Sequence, residues 1–373
     1  MQIKSFFLFL VSLLALSVNS FASELKDKVS FGFNTYSDNG DVQVYSPTFA
    51  LFKKVSSEWM VGIKMRVDAI TAASISNGSN PTTVDAVTSA SSSEDSINDK
   101  RFAPTMMATY ESGDDVLTFG GYYSSEIDYE GKAFFVTYVR QLNEQNTALS
   151  IGISQSADKW KPVFDRNLPR DNRDEGKIDL SISQLISPIF SVQAVYSHMS
   201  SKGFLSSPYH YVLQDDLAKF ENYKSSREGD AFAVSGVYMI NEEYATNFSY
   251  RYYTDDWGID SHTVNGELLK DFASNLTSGI RVRYYTQTKS DFSKDVGTYT
   301  LDDEYFASDY RMSAFDSYTV GIPLIYRPDS YDDVKITASI DFYQTSDNDY
   351  IKNWYKENNL QAIFTTFNVE YGF

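Results

Sequence analysis

The chain has no cysteine, only three histidines, and no long apolar segment after its first 20 residues. Without cysteine it can form neither disulfides nor thiolate metal sites. A membrane-spanning helix needs about 18 or more consecutive apolar residues, and no later segment approaches that length. Disulfide-stabilised domains and helical membrane proteins are therefore excluded as fold classes.

The scarcity of histidine limits the catalytic arrangements that the chain can offer. Ser261 and His262 are adjacent, so in a strand their side chains point to opposite faces and cannot pair. His198 and His210 are expected near or in an outer loop. No Gly-x-Ser-x-Gly or His-Glu-x-x-His motif is present. The sequence therefore predicts no enzymatic activity, no bound cofactor and no metal site.

Aromatic residues, in contrast, are abundant. The chain has 28 tyrosines and 26 phenylalanines, yet its mean hydropathy is −0.35. This combination is typical of a membrane β-barrel, which alternates lipid-facing and water-facing residues and carries aromatic girdles at both interfaces. The formal net charge of −18 argues against nucleic acid as a partner.

The last seven residues alternate between large apolar side chains and polar or small ones. Phe367, Val369, Tyr371 and Phe373 share one face of a strand with this period. In an outer-membrane barrel the final strand closes against the first and faces lipid, whereas in a soluble sandwich it would be a buried edge strand. We favour the barrel. These four residues are then the predicted membrane-insertion signal for the barrel-assembly machinery, with outer-membrane lipids around the protein.

Residues 1–22 have the features of a signal peptide. Lys4 gives a positive start, an apolar run follows, and small residues occupy the two positions that a signal peptidase reads. We expect cleavage near Ser23, so that residues 23–373 form a barrel exported to the bacterial outer membrane.

Period-2 patterns predict about 16 strands, an even number that returns both chain ends to the periplasm. Each is long enough to cross a membrane at a tilt, which takes about 9–11 residues. The predicted strands are 28–36, 42–53, 58–69, 102–111, 116–126, 130–142, 147–158, 176–186, 190–202, 228–240, 244–255, 259–270, 276–290, 313–326, 334–345 and 362–373.

The connections alternate in length as a barrel requires. Every second one is a tight turn rich in Asn, Asp, Ser, Gly or Pro, and all the long ones fall on the other side. The long connections are 70–101, 159–175, 203–227, 291–312 and 346–361. The predicted fold is therefore an all-β, transmembrane, antiparallel up-and-down barrel with short periplasmic turns and long extracellular loops.

The charged residues of the strands identify the lumen face. In strand 58–69 the apolar residues share one face, and Lys64, Arg66 and Asp68 lie on the other. A Lys or Arg on the lipid face costs about 2–4 kcal/mol at the membrane midplane, so the charges belong inside. The lipid-facing and lumen-facing sides of strand 130–142 cannot be assigned, because Phe134 and Phe135 are adjacent. The predicted pore-lining residues are Lys64, Arg66, Asp68, Arg251, Glu267, Arg281, Arg283, Lys335 and Asp341.

These lumen charges allow two interpretations. Arg251, Arg281 and Arg283 lie on strands separated by one neighbour and could form a basic stripe facing Lys64 and Arg66. Such a constriction would select anionic solutes. Alternatively, the cations are balanced by neighbouring acids in ordinary salt bridges.

Two kinds of loop segment are also ambiguous. Segment 70–101 is rich in small polar residues, and it either folds inward to narrow the pore or remains a mobile surface loop. The acidic stretches 38–41 and 255–258 resemble calcium loops in composition only. Neither has the spaced oxygen ligands of a calcium site, which favours hairpin turns.

Residues 250–263 read YRYYTDDWGIDSHT, and this segment resembles the signature of an uncharacterised family of outer-membrane barrels in Gram-negative bacteria. Segments 85–91, 281–287 and 308–315 are also similar to that family. The resemblance implies a barrel fold and an outer-membrane location. Members tend to be encoded beside small lipoproteins, thioredoxin-like proteins and flavin-transfer enzymes, which implies by analogy a role in envelope redox or export. Any redox cofactor would belong to a partner, because this chain has no haem or flavin motif.

Together these observations predict a porin-like channel for passive diffusion of small hydrophilic solutes, with a possible preference for anions set by the lumen charges. The alternative is a structural barrel that houses or docks a partner lipoprotein or an electron-transfer or export component. A surface adhesin or phage receptor is a third interpretation, and it rests only on the long acidic loops.

Overall fold

The computed structural model describes residues 26–72, 97–160, 171–206, 210–215, 217–352 and 357–373. The predicted signal peptide and most of segment 70–101 lie outside these residues. No helix in the described ranges is long and apolar enough to cross a membrane.

Sixteen of the eighteen described strands close into one antiparallel barrel. The remaining two, β10 and β11, form a small hairpin in the connection between β9 and β12. The strands are β1 Lys28–Asp38, β2 Val42–Lys54, β3 Trp59–Ala72, β4 Ile97–Ser112, β5 Asp115–Ser125, β6 Tyr129–Leu142, β7 Thr147–Trp160, β8 Asp171–Ser187, β9 Phe190–Gly203, β10 Tyr211–Gln214, β11 Leu217–Phe220, β12 Ser226–Met239, β13 Tyr244–Asp255, β14 Asp260–Ala273, β15 Leu276–Gln287, β16 Phe315–Tyr326, β17 Val334–Thr345 and β18 Gln361–Gly372.

Each strand pairs with its neighbour in sequence, apart from the β9–β12 pair that skips the hairpin, and β18 closes the ring against β1. In that closing pair Phe33 lies opposite Phe367, and Phe31 lies opposite Val369. A closed ring leaves no exposed strand edge, so every barrel strand has hydrogen-bonding partners on both sides. The predicted fold class and all 16 predicted strands are confirmed.

The alternation of connections is confirmed as well. All seven connections at one end of the barrel are short, as at Gly113, whose φ of +60° suits the tight β4–β5 turn. All the long ones lie at the opposite end, which we call the long-loop end. They include a three-residue 3₁₀ turn at Tyr310–Met312 and a short helix, α1, at Asp349–Lys352. The two ends of the barrel therefore differ strongly in the amount of chain that they carry.

The two faces of the wall follow the period-2 pattern. On β7, Leu149, Ile151 and Ile153 are exposed on the outer face. On the inner face, Ser150 shares a hydrogen bond with Ser181 of β8 at 2.6 Å. An outer band of branched apolar residues beside an inner row of hydroxyls is the arrangement expected of a barrel in lipid.

Aromatic pairs flank the apolar band on the outer face. Tyr284 and Tyr318 lie near the long-loop end with ring centroids 5.1 Å apart. Trp59 and Tyr110 lie at the short-turn end, 4.9 Å apart. Amphipathic rings at both ends match the girdles expected at the two membrane interfaces.

The structure also resolves the strand whose faces the sequence left unassigned. Phe134 points outward and is 56% exposed. Phe135 points inward and covers Gly120, leaving no room for a β-carbon there. The adjacent phenylalanines therefore serve lipid contact and lumen packing, respectively.

Candidate functional site

Much of the inner wall is neutralised by ion pairs. Arg281 of β15 donates two hydrogen bonds to Asp341 of β17, at 2.5 and 2.8 Å. Arg66 donates to Asp68 at 2.7 Å and to Ser46 at 3.1 Å. For these two arginines, the salt-bridge interpretation of the lumen charges describes the structure better than a free basic stripe.

The Arg281–Asp341 pair spans a whole strand. Gly321 of β16 lies opposite Arg281 on one side and Asp341 on the other. A β-carbon at Gly321 would collide with the Asp341 carboxylate and crowd Arg281 Nε at 3.1 Å. The missing side chain therefore makes the bridge possible.

The guanidinium groups of Arg251 and Arg283 both lie over aromatic rings. The Arg251 guanidinium lies over the Tyr253 ring, 5.3 Å from its centroid. Arg283 lies over the Tyr285 ring at 5.6 Å. Cation–π contacts of this kind stabilise a guanidinium without cancelling its charge. Arg251, which forms no ion pair with any described residue, therefore keeps a positive charge on the β13 wall.

The other predicted pore-lining residues are spread around the ring. Lys64 forms no ion pair with any described residue. Its strand, β3, lies nearly opposite β14 in the ring, seven strands away in one direction and nine in the other. Glu267 accepts a hydrogen bond from Asn247 at 2.6 Å. Lys335 lies opposite Glu370 in the β17–β18 pair, towards the short-turn end. The lining role of this set stays a prediction.

Further charged residues of the inner wall were not predicted from the sequence. Arg101 lies 3.8 Å from Asp68 and 3.6 Å from Glu126, and Arg173 lies 2.8 Å from Asp158. Both arginines belong to segments that were predicted to be long connections, whereas β4 and β8 extend into those segments. Residues 98–101 and 171–175 are all polar, so no apolar alternation marked them as strand.

Arg227 was missed for the same reason, one residue before a predicted strand. Its guanidinium donates to Asp255 at 2.5 and 2.9 Å and lies 4.6 Å from the centre of the Trp257 ring. It therefore joins the top of the inner wall to the loops above it.

The loops at the long-loop end form a packed cap, which we define as residues 204–206, 210–215, 217–225, 256–259, 288–314, 346–352 and 357–360. Its main cluster surrounds Trp257, which is 2% exposed and packs against Phe292 and Tyr223. A second cluster contains Tyr310, Tyr350 and Ile351. The described loops are therefore folded together on a hydrophobic core of their own.

The cap rests on the inner face of the barrel. Tyr253 of β13 packs against the Trp257 cluster, and Tyr343 of β17 packs against the Tyr310 cluster. On both strands the neighbouring residues Tyr252 and Phe342 face outward, so the two tyrosines point into the lumen. The cap segments that touch them consequently fold inward over this side of the mouth.

A buried carboxylate ties the cap segments together. Glu221 Oε1 accepts hydrogen bonds from the backbone N–H groups of Ser308 and Asp309, at 2.5 and 2.8 Å, and from the Ser308 hydroxyl at 3.1 Å. Glu221 Oε2 accepts from the Tyr223 hydroxyl at 2.8 Å and lies 3.2 Å from His210 Nδ1. This saturated carboxylate joins the β9–β12 connection to the β15–β16 connection.

The groups around Glu221 are electrostatically perturbed. Burial, followed by the nearby Glu221 charge, raises the pKa of Tyr223 well above its usual range. Burial would raise the pKa of Asp309 as well, but its ion pair with Arg311 holds that pKa below the usual value. The Asp309–Arg311 pair therefore stays ionised inside the cap.

The aspartates of the acidic turns and His262 form hydrogen bonds within the protein. Asp255 Oδ1 accepts from the backbone N–H groups of Trp257 and Ile259, and Asp38 Oδ1 serves its own turn in the same way. Both stretches are hairpin turns. No cluster of three or more metal-ligand side chains occurs in the described ranges. Ser261 is buried on the inner side while His262 is exposed and bonds Tyr250, so these two adjacent side chains do point apart.

Three residues of the predicted insertion signal share the outer face of β18, and the fourth, Phe373, directly follows the strand. Phe367, Tyr371 and Phe373 are exposed, and Val369 is half-buried. Tyr371 and Phe373 stack with ring centroids 6.0 Å apart. Their role in assembly stays a prediction.

The fold is similar to that of several solved structures. A bacterial polysaccharide outer membrane secretin has a TM-score of 0.54 and 6% identity over 94% of this chain and 100% of its own. The ferric enterobactin receptor of Pseudomonas aeruginosa has a TM-score of 0.48 and 8% identity over 87% and 54%. The toluene transporter TodX of P. putida has a TM-score of 0.42 and 9% identity over 95% and 91%. At these identities the likeness to the secretin shows the fold alone: a closed barrel of the outer-membrane type.

No curated protein shows significant sequence similarity to the chain. A family profile, in contrast, matches residues 10–173 and 166–371, which is nearly the whole sequence. The chain therefore belongs to the family described as "Protein of unknown function (DUF3570)".

Proposed function

We propose that the protein forms a water-filled channel in the bacterial outer membrane, through which small hydrophilic solutes diffuse passively. The observation that carries this proposal is the inner wall of the closed 16-strand ring, where ion pairs and hydroxyls alternate with outward apolar residues. Barrels of about 16 strands leave an aqueous channel unless a segment plugs them. The long-loop end would face the cell exterior, and the short turns the periplasm.

The wall charges support a preference for anions. Arg251 and Arg283 lie on one side of the ring, and Lys64 lies on the opposite side. Positive charge on a channel wall lowers the energy of a passing anion and raises that of a cation. Arg281 adds little to this field because Asp341 neutralises it.

Single-channel conductance of the purified protein in a planar bilayer, with a salt gradient, tests the proposal. We expect stepwise openings and a reversal potential of the sign that anion preference requires. Arg251→Ala and Arg283→Ala should each move that potential towards zero, since each removes a positive charge from the lumen wall. Lys177→Gln combined with Asp179→Asn removes a neutral ion pair from the inner face of β8 and should move it less. Silence from a correctly folded barrel would contradict free diffusion.

The cap favours a second candidate function. Loops folded inward against Tyr253 and Tyr343 narrow the mouth, while the short turns leave the other end uncovered by long segments. The barrel would then house or dock a periplasmic partner, such as a small envelope lipoprotein or an electron-transfer or export component. This candidate predicts a silent barrel and a partner that co-purifies after mild crosslinking in cells.

A further inference from the structure

The arginines of the inner wall differ in how their charge is compensated. Five of them lie within ion-pair distance of a carboxylate: Arg66, Arg101, Arg173, Arg227 and Arg281. Arg251 forms no such pair with any described residue, and its contact is the face of Tyr253. A half-buried guanidinium without a counter-charge is costly, so its retention calls for an explanation.

Arg251 is part of a basic group. The side chain of Tyr285 lies within the electrostatic reach of Arg283, Arg251 and Arg227. The charges of Arg251 and Arg283 are near enough to oppose each other. Asp255 pairs with Arg227, whereas Arg251 forms no ion pair with any described residue. Arg251 therefore adds positive charge to this part of the wall.

The strand between the two arginines supplies neutral donors. On β14, Thr263 lies opposite Arg251, and Asn265 lies opposite Arg283. Ser261 and Thr263 are buried on the inner side, 2% and 4% exposed. The backbones of β13 and β15 are about 10 Å apart at this point, because each strand spacing is about 4.8 Å. Long arginine side chains on both flanks can therefore converge on one small ligand above β14.

The cap closes this region from the long-loop end. Tyr253, whose ring carries Arg251, packs beneath the Trp257 cluster. The Phe315 ring lies between Tyr285 below and Tyr310 of the cap above. Its centroid is 5.5 Å from that of Tyr285 and 5.3 Å from that of Tyr310. Partial exclusion of bulk water strengthens charge-assisted hydrogen bonds in the space below the cap.

We propose that Arg251 and Arg283 form a binding site for the dianionic phosphate group of a small solute, which the channel then favours over other anions. Two guanidinium forks match the two charges and the several oxygens of a phosphate, and the hydroxyls of β14 complete the donor set. This assignment rests on the proposed channel, because the solute reaches the site through the lumen.

Isothermal titration calorimetry of the detergent-folded barrel with inorganic phosphate tests the site without requiring conductance. Acetate at matched ionic strength serves as the monoanionic control. We expect saturable binding of phosphate, and a dissociation constant raised about tenfold or more in both Arg251→Gln and Arg283→Gln. Arg251→Lys should lose part of this affinity, since it keeps the charge and loses the fork. Lys177→Gln, which removes the same charge from the β8 wall, should stay within about twofold of the parent.

Two results would overturn the assignment: no saturable phosphate binding to the folded parent protein, or equal weakening by Lys177→Gln and Arg251→Gln. Heat-modifiable migration on gels identifies the folded barrel for every variant. If either Gln variant fails to fold, the Lys variant carries the comparison. A barrel that binds phosphate but conducts no ions would refute the channel and leave the site standing. A barrel that conducts ions but does not bind phosphate would refute the site and leave the channel standing.

Discussion

At the residue scale, the inner wall depends on where side chains are absent as much as on where they are present. Gly321 leaves the gap across which Arg281 reaches Asp341, and Gly120 leaves the space that Phe135 fills. Gly152, on the inner face of β7, has only ordinary contacts around the position of a β-carbon, the shortest being 3.5 Å to Thr137 Oγ1. Alanine would therefore disturb its neighbours at Gly321 and Gly120 but not at Gly152, although all three glycines lie on the inner face.

Gly321→Ala is expected to displace the Arg281–Asp341 ion pair, because the new β-carbon would occupy the space of the Asp341 carboxylate. We expect a loss of about 1–2 kcal/mol in the free energy of unfolding, measured by urea titration of the barrel refolded in lipid vesicles. Gly152→Ala is the matched control and should change this free energy by less than about 0.5 kcal/mol. Equal effects of the two substitutions would show that the bridge has no particular dependence on Gly321.

At the element scale, the long connections contain more order than their composition indicates. Loop segments from four connections share hydrophobic clusters. The β9–β12 connection also contains a hairpin, in which the ring centroids of Tyr211 and Phe220 are 4.3 Å apart. The β9–β12 and β15–β16 connections meet at Glu221, whose side chain is wholly buried. Both oxygens of this carboxylate accept hydrogen bonds, so it forms the polar centre of the cap.

Glu221→Gln is expected to loosen the cap while leaving the barrel folded. The amide places a donor where one carboxylate oxygen accepted hydrogen bonds, so at least one buried donor loses its acceptor. Limited trypsin digestion in detergent should cleave the cap at Lys219, Lys224 and Lys294 about tenfold faster than in the parent protein. The matched control is Asp302→Asn, at an exposed acid of the cap in the β15–β16 connection. Unchanged cleavage in Glu221→Gln would mean that hydrophobic packing alone holds the cap.

At the scale of the whole molecule, the fold places its apolar surface outside and its charges inside. Ile153 and Ser154 are adjacent on β7 and lie on opposite faces, with Ile153 53% exposed on the outer one. In water, such an outer surface would drive aggregation; in a bilayer, the acyl chains cover it. The membrane is therefore the solvent in which this arrangement of residues is stable.

An arginine introduced at these two neighbouring positions should distinguish the faces. Ile153→Arg is expected to cost about 2–4 kcal/mol of unfolding free energy in lipid vesicles, because the charge would enter the hydrocarbon. Ser154→Arg should cost much less, since that side chain reaches the wet lumen. Urea-dependent unfolding of both variants gives the comparison. Similar costs at the two positions would contradict a lipid-embedded outer face and an aqueous interior.

Much of the fold could be predicted from the sequence because both faces of a membrane barrel impose local rules. Apolar alternation located all 16 strands, and the parity of short and long connections fixed their directions. The strand ends were less certain. β4 begins at Ile97 and β8 at Asp171, each five residues before its predicted start, because those extensions lie beyond the apolar band and are held by pairing with β3 and β7. No apolar period marks such a segment.

The candidate site was predictable only in part. Period-2 phasing put Arg251, Arg281 and Arg283 on one face, but it could not show which of them has a counter-charge. Asp341 is 60 residues from Arg281 in the chain, and the bridge between them depends on the gap at Gly321. Similarly, nothing local to Glu221 indicates that Ser308 and Asp309 enclose it.

The sequence by itself determined the strands, their direction and their two faces, because alternation between lipid and water acts on each residue independently of distant partners. The tertiary structure alone decided which lumen charges remain uncancelled and how the loops fold into a cap. Those outcomes depend on contacts between residues far apart in the chain, and only ring closure and loop packing bring such residues together.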